Sequence, residues 1–473
     1  MLFNSIAFLI FLPTVFILFW FVLKPYHKLQ NLLIVVASYI FYGWWDYRFL
    51  FLIFISTIVD YIVGLFLATE NRQKARNLLL WLSLSFNLGI LGVFKYYDFF
   101  LTSLISTFQS AGIELNIQSL NIILPVGISF YTFQTLSYTI DVWKRELEPT
   151  RNFINFAGFV SFFPQLVAGP IERASSLLPQ FNTHKKFNSD LAISGINLII
   201  WGLFKKVVIA DNAAVYSDAI FENYENHDSL TLILGAFYFA FQIYGDFSGY
   251  SDIAIGTGRL FGFRLMRNFN YPYFSRNIGE FWKRWHISLS TWFRDYVYIP
   301  LGGSRMNKFF TIRNILIVFL LSGLWHGANW TFILWGGIHA FLFLPVFFLK
   351  NSRQKTSDHI ELNLRNLFRI IFTFSSVCFA WIFFRAENLF QAFDYIKILL
   401  SNLNFKIAYL SIERYNIELV GLIVFFVIFE WLHRHEEHPF YGKYRIIKLI
   451  LVILIMLVMG KFFGYNEFIY FQF

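Results

Sequence analysis

Residues 314–349 read NILIVFLLSGLWHGANWTFILWGGIHAFLFLPVFFL. The central part, Leu321–Gly337, has no Asp, Glu, Lys or Arg, yet it holds His326. A membrane-spanning helix needs roughly 20 mostly apolar residues, so this run is too long for one straight span. Gly323, Gly327, Gly336 and Gly337 favour a broken or tightly packed helix pair. Non-helical backbone at that depth requires a protein-lined cavity.

The rest of the chain has the same character. Of 473 residues 57% are hydrophobic and 14% charged, against about 25% charged in soluble domains. No stretch is long and polar enough to form a separate soluble domain, so residues 1–473 are expected to form a single integral membrane domain. Further apolar runs lie at 3–23, 31–45, 49–68, 77–94, 121–140, 191–210, 230–258, 366–384, 416–432 and 444–463. The expected fold is all-α and polytopic, with about eleven transmembrane helices. The runs 97–110 and 153–169 are short or interrupted and suit re-entrant or interfacial helices. The first run has no basic leader and no small-residue cleavage site, which makes it a first span rather than a signal peptide.

Orientation follows from Lys and Arg. Lys24 and Lys28, then the basic loop NRQKAR (Asn71–Arg76), alternate with poorly charged connections. This places those loops in the cytoplasm and the N-terminus outside. The formal charge of +10 is spread between apolar spans and reads as cytoplasmic loops, not a nucleic-acid surface. The most basic connection is 259–313, where ten Lys and Arg face only Glu280 and Asp295. It is interleaved with Trp282, Trp285, Trp292, Tyr271, Tyr273, Tyr296 and Tyr298, a composition suited to short helices at the membrane surface. It is the strongest candidate for meeting an anionic substrate, with Lys283, Arg284, Trp285 and Arg294 as binding residues.

Among residues able to do chemistry, His326 ranks first. In a soluble helix a lone core histidine is usually structural. In a bilayer an ionisable group is costly and is a functional candidate by default, and burial favours the neutral imidazole that can accept a proton. Trp325 and Trp330 are positioned to wall an apolar channel, and Trp325 and Asn329 are the expected substrate contacts beside it. His286 lies in GEFWKRWHISLSTWFRDYVYIPLGG (Gly279–Gly303); chemistry alone leaves it evenly balanced between an interfacial and a catalytic role. His339 lies on a different face from His326 if one continuous helix carries both, and reads as a packing residue. Asp246 and Asp252, in YGDFSGYSDIAIGTG, suit an ion pair or the orientation of a histidine.

Several motifs fall away. Gly256, Gly258 and Gly262 do not satisfy GxGxxG. Cys378 is the single cysteine and sits in the apolar run FTFSSVCFAWIFF, which excludes an internal disulfide and a cysteine-rich metal site. HRHEEH (His433–His438) reads as a solvated basic loop, and no metal site is expected. Asn329-Trp-Thr matches a glycosylation sequon by chance, and no GxSxG elbow is present. There is no convincing internal repeat, which weakens a transporter reading.

The blocks YGDFSGYSDIAIGTGRLFGF, FWKRWHISLSTWFRDYVYIPLGG and SGLWHGANWTFILWGGIHA resemble the membrane-bound O-acyltransferase superfamily. Within it they are similar to the bacterial alginate O-acetylation branch, as are the opening MLFNS, the closing FIYFQF and SFFPQLVAGPIER (Ser161–Arg173). The resemblance runs nearly end to end. It implies that His326 is the catalytic residue and His286 the second polar residue of the active site. It also implies a ring of helices around a thin centre, with a tunnel from the cytoplasm toward the outer face.

Together the residues and the resemblance lead to an expected activity. Acetyl-CoA, a donor substrate rather than a cofactor, docks on the basic segment. His326 acts as general base, and His286 polarises the thioester. The acetyl group crosses the cytoplasmic (inner) membrane of a bacterium. An extracytoplasmic SGNH-type acetyltransferase partner then places it on an alginate-like polysaccharide. The alternatives are peptidoglycan O-acetylation or D-alanyl transfer by the same chemistry, an acyl or glycan transporter, and an export scaffold that has no need of His326.

Overall fold

The computed structural model describes residues 1–120, 122–167, 169–349, 361, 363–403, 414–462 and 468–469. Of the expected spans, Asn121 and Phe463 lie outside the described residues, and of the closing FIYFQF only Phe468 and Ile469 lie within them. No strand occurs among the described residues.

The helices are α1 (Ile6–Ile17), α2 (His27–Gly43), α3 (Leu50–Thr69), α4 (Gln73–Leu91), α5 (Tyr97–Ser110), α6 (Ile128–Trp143), α7 (Phe153–Ser161) and α8 (Ala174–Asn182). They continue with α9 (Ser189–Phe204), α10 (Asp211–Glu222), α11 (Ser229–Leu260), α12 (Ile278–Arg284) and α13 (Ile287–Phe293). The last are α14 (Lys308–His326), α15 (Trp330–Phe348), α16 (Leu364–Arg385), α17 (Leu389–Ser401), α18 (Arg414–Leu432) and α19 (Arg445–Met459). Seven helical stretches among the described residues are long and apolar enough to cross a membrane, and Ile6–Val22 and Leu419–Leu432 are shorter apolar helices.

The differences from the expected spans have local causes. Ser5 starts the first helix late by accepting the Phe8 N–H at 3.2 Å. The run 121–140 becomes helical only at Ile128, after Pro125 and the left-handed Gly127. The run 97–110 is not a separate interfacial segment: π-helical Gly92–Tyr96 joins it to α4, giving a continuous Gln73–Ser110 stretch.

The chain divides into two compact units, residues 1–195 with 254–266, and residues 196–253 with 267–473. In the first, α3, α4 and α6 meet around a buried carboxylate. Asp60 accepts hydrogen bonds from the Ser83 hydroxyl, from Asn87 Nδ2 at 2.9 Å and from Thr139 Oγ1 at 3.0 Å. An acidic group in apolar surroundings is retained only with such partners. Arg76 closes two helix ends. Its guanidinium donates to the Leu67 carbonyl at the end of α3 and to Trp143 O at 2.7 Å at the end of α6, where the helix dipoles favour a cation.

In the second unit the expected break in 314–349 is present: α14 ends at His326 and α15 starts at Trp330. The glycines set how closely these two helices pack. A Cβ on Gly323 would strike the Phe332 carbonyl, and one on Gly336 the Phe319 carbonyl. These neighbours are backbone atoms, so relief requires the helices to part. Gly336→Ala is expected to lower stability by roughly 1–3 kcal/mol, the usual cost of overpacking, read as earlier thermal unfolding in detergent. Gly337→Ala, which meets only a Leu320 methyl at 3.7 Å, should be nearly silent.

Candidate active site at a helix break

The end of α14 delivers His326 into an aromatic box. The side chain is buried, with Trp325, Trp335 and Phe384 edge-on at ring-centroid distances of 5.0, 5.1 and 5.5 Å. Trp335 comes from α15 and Phe384 from α16. The box therefore exists only because the chain breaks after His326 and folds back. Gly327 makes the reversal possible, since a side chain there would collide with the Phe332 ring.

His286 reaches the same place from another direction. It sits between α12 and α13 with φ 43°, in the left-handed region that non-glycine residues seldom adopt. Asn268 holds the strained corner. Its carbonyl accepts the Ile287 N–H at 2.9 Å, and its Oδ1 accepts the Ser288 N–H at 3.2 Å and the Ser288 hydroxyl at 2.6 Å. The imidazole lies 5.7 Å from the Trp325 ring, 4.6 Å from Phe247 and 6.1 Å from His326, centroid to centroid. His286 is fully buried, and burial pushes its imidazole down to about 3. It is therefore neutral at physiological pH, able to donate one hydrogen bond and accept another.

His339 belongs to the same neighbourhood. The rotational argument that set it on another face assumes a continuous helix, and the break at residues 327–329 removes that assumption. Its ring lies 4.8 Å from Trp335 and stacks 6.1 Å from Phe281. Its Nδ1 accepts the Trp282 indole N–H at 3.3 Å. It thus braces two walls of the chamber without ring contact to His286. Trp381, stacked on Trp335 at 5.6 Å, and Phe384 close the box. Neither was singled out from sequence, although both lie in the apolar run around Cys378.

The expected substrate-binding residues fall into three groups. Trp325 packs on both histidines, 5.7 Å from His286 and 5.0 Å from His326. Lys283 and Arg294 are exposed, Arg294 beside Asp295 at 2.7 Å. The remaining three are built into the scaffold. Arg284 is buried and paired with Glu280 at 2.9 Å, a carboxylate that it shares with Arg276. Trp285 is fully buried against Phe281 and Trp381. Asn329 caps α15 through Thr331 N–H at 3.0 Å and donates to the Glu387 carbonyl at 2.8 Å.

The two aspartates found in sequence are ion-paired. Lys205 meets Asp252 at 2.7 Å, and Lys206 lies between Asp246 at 2.8 Å and Asp211 at 2.9 Å. Asp246 also accepts the Ile469 N–H at 2.7 Å. Next along α11, Phe247 packs on both Phe468 and His286, so this polar knot underlies one wall of the histidine site. The lysine pair in WGLFKKVVIA was the missed signal: two ammonium groups inside an apolar run require buried partners. In HRHEEH, His433 Nε2 lies 2.9 Å from Lys448 Nζ and His438 stacks on Tyr441 at 4.2 Å.

Residues 44–386 match the model of the MBOAT, membrane-bound O-acyltransferase family, and this range contains His286, His326 and His339. The chain is 44% identical over 391 residues to a probable alginate O-acetylase AlgI of Azotobacter vinelandii, covering 82% of this chain and 76% of that protein. It is 37% identical over 427 residues to a peptidoglycan O-acetyltransferase of Helicobacter pylori, covering 84% and 79%. A teichoic acid D-alanyltransferase of Bacillus subtilis is 29% identical over 276 residues, covering 56% and 70%. The chain is a multi-pass membrane protein that belongs to the membrane-bound O-acyltransferase family, and it is an O-acyltransferase.

Proposed function

We propose that this O-acyltransferase moves an acetyl group from cytoplasmic acetyl-CoA across the bacterial inner membrane for O-acetylation of an alginate-like polysaccharide. The observation that carries the reading is the pair His286 and His326, with ring centroids 6.1 Å apart in a buried aromatic chamber. Two imidazoles this close can serve the two oxygens of one acyl transfer, one taking the proton of the attacking hydroxyl and the other facing the carbonyl oxygen. His326 takes the proton from an attacking hydroxyl. The hydroxyl oxygen adds to the thioester carbonyl, whose developing negative charge is met by an N–H of neutral His286. The carbon–sulfur bond then breaks, the CoA thiolate takes up the proton from His326, and the acetyl ester is complete. Trp325, Trp335 and Phe384 keep water out of the chamber and so limit simple hydrolysis.

Lys283 and Arg294, exposed on the basic segment, are suited to the phosphates of CoA. Final placement on the polymer is assigned to an extracytoplasmic SGNH-type transferase. The relative named as an alginate O-acetylase, at 44% identity, favours an alginate-like acceptor. The peptidoglycan O-acetyltransferase at 37% identity supports peptidoglycan as the second reading.

The test uses the full chain in proteoliposomes with radiolabelled acetyl-CoA outside and each candidate polymer, with its transferase, inside. Label on the alginate-like polymer, with release of free CoA, is the expected result. Label on peptidoglycan fragments alone selects the second reading. Intact acetyl-CoA inside the vesicles, with no thiol released, overturns the enzyme assignment in favour of transport. His339→Phe keeps the stack on Phe281 but removes the acceptor for Trp282. It is expected to lower kcat about tenfold, less than the about 10²–10⁴-fold of a group that itself transfers the proton, with KM for acetyl-CoA unchanged.

A further inference from the structure

The second unit contains a cavity of about 520 Å³ that plays no part in the proposed chemistry. It lies between α11, α16 and α18, and its volume is within the range of about 300–1,000 Å³ typical of ligand sites. Its rim is formed by Leu367 and Ile371 of α16 and by Val424 and Ile428 of α18, all exposed. α16 is one of the stretches long and apolar enough to cross the membrane. Exposed apolar side chains on such a helix face hydrocarbon, so the mouth of the cavity is continuous with the bilayer surface.

The interior offers a water-soluble ligand little. Glu430 lines the cavity, but the Tyr244 hydroxyl donates to its two oxygens at 2.9 and 3.0 Å. The Tyr273 hydroxyl is committed to the Ala240 carbonyl at 2.6 Å. The walls are otherwise chiefly aromatic and aliphatic. A hydrocarbon chain entering from the bilayer gives up no hydrogen bond and fills space that would otherwise cost packing energy. We propose that this cavity is a binding site for one acyl chain of a membrane phospholipid. The inner wall of the site abuts the chemistry: Tyr244 and Tyr273 lie 6.2 and 6.0 Å from Trp285, the residue immediately before His286.

The test uses the full-length protein in nanodiscs of phosphatidylethanolamine and phosphatidylglycerol. A small fraction of the phosphatidylethanolamine carries a diazirine midway along one chain. After illumination and proteolysis, labelling of residues 366–374 and 423–431 is expected to exceed that of the exposed α4 positions Leu78 and Trp81 at least fivefold. Val427→Trp, which fills the cavity from α18, should abolish the excess and leave α4 labelling unchanged. Ile370→Phe serves as a smaller filling variant should the tryptophan prevent folding. Equal labelling of α4 and the cavity segments in the wild type overturns the proposal without recourse to any variant. So does an excess that survives filling.

Discussion

Purified His326→Ala is expected to release thiol from acetyl-CoA at least a thousandfold more slowly than wild type while keeping its elution volume. The magnitude follows from the role. A positioned general base contributes about 10²–10⁴-fold, and a thousandfold corresponds to about 4 kcal/mol of barrier. The side chain is buried in a box of four rings, Trp325, Trp335, Phe384 and His286, so alanine leaves a cavity but no unpaired charge. Some loss of stability is therefore expected alongside the kinetic effect, and His326→Gln, closer in volume, separates the two. If the glutamine variant is as stable as wild type and equally inactive, the imidazole is required for proton transfer. Full activity in either variant would falsify the assignment and favour a scaffold role.

Lys206→Met carries the largest expected effect on stability. The ammonium lies 2.8 Å from Asp246 and 2.9 Å from Asp211, and all three residues are buried. Removing one member of a buried ion pair strands its partner without compensation, at a cost of roughly 3–5 kcal/mol. Here two carboxylates are stranded side by side. The Ile469 N–H that bonds Asp246 does not replace a full charge. Thermal unfolding in detergent should move sharply downward, and yield should fall. The double variant Lys206→Met with Asp246→Asn should recover part of the loss, because it removes one of the stranded charges. If the single variant unfolds like wild type, the knot is solvated and the ion pairs contribute little.

His326 was legible in the sequence because an imidazole inside an uncharged apolar run is anomalous whatever the fold. The break after it was legible too, since 314–349 is too long for one span and rich in glycine. His286 was different. Residue chemistry left it evenly balanced, and only the resemblance carried by FWKRWHISLSTWF marked it. His339 was read as a packing residue, and it packs on Trp335 and Phe281; the rotation argument, which applies only along an unbroken helix, hid that it borders the chamber. Lys205 and Lys206 went unremarked although Asp246 and Asp252 were noted: the two halves of the knot lie far apart in the chain. Arg284 and Trp285 looked like substrate contacts in a basic, aromatic segment, yet each is taken up by its own surroundings, Glu280 for one and a stack of rings for the other.

Hydropathy is local and additive, so composition and pattern alone were enough to assign this chain to the membrane and to expose the cost of a histidine within it. Which residues share the chamber is a different kind of quantity. The meeting of residues 286, 326, 335 and 384 depends on a left-handed corner held by Asn268, on a helix that stops at Gly327, and on two glycines that let α14 and α15 touch backbone to backbone. These contacts arise only when distant segments pack together, and tertiary structure alone decides them.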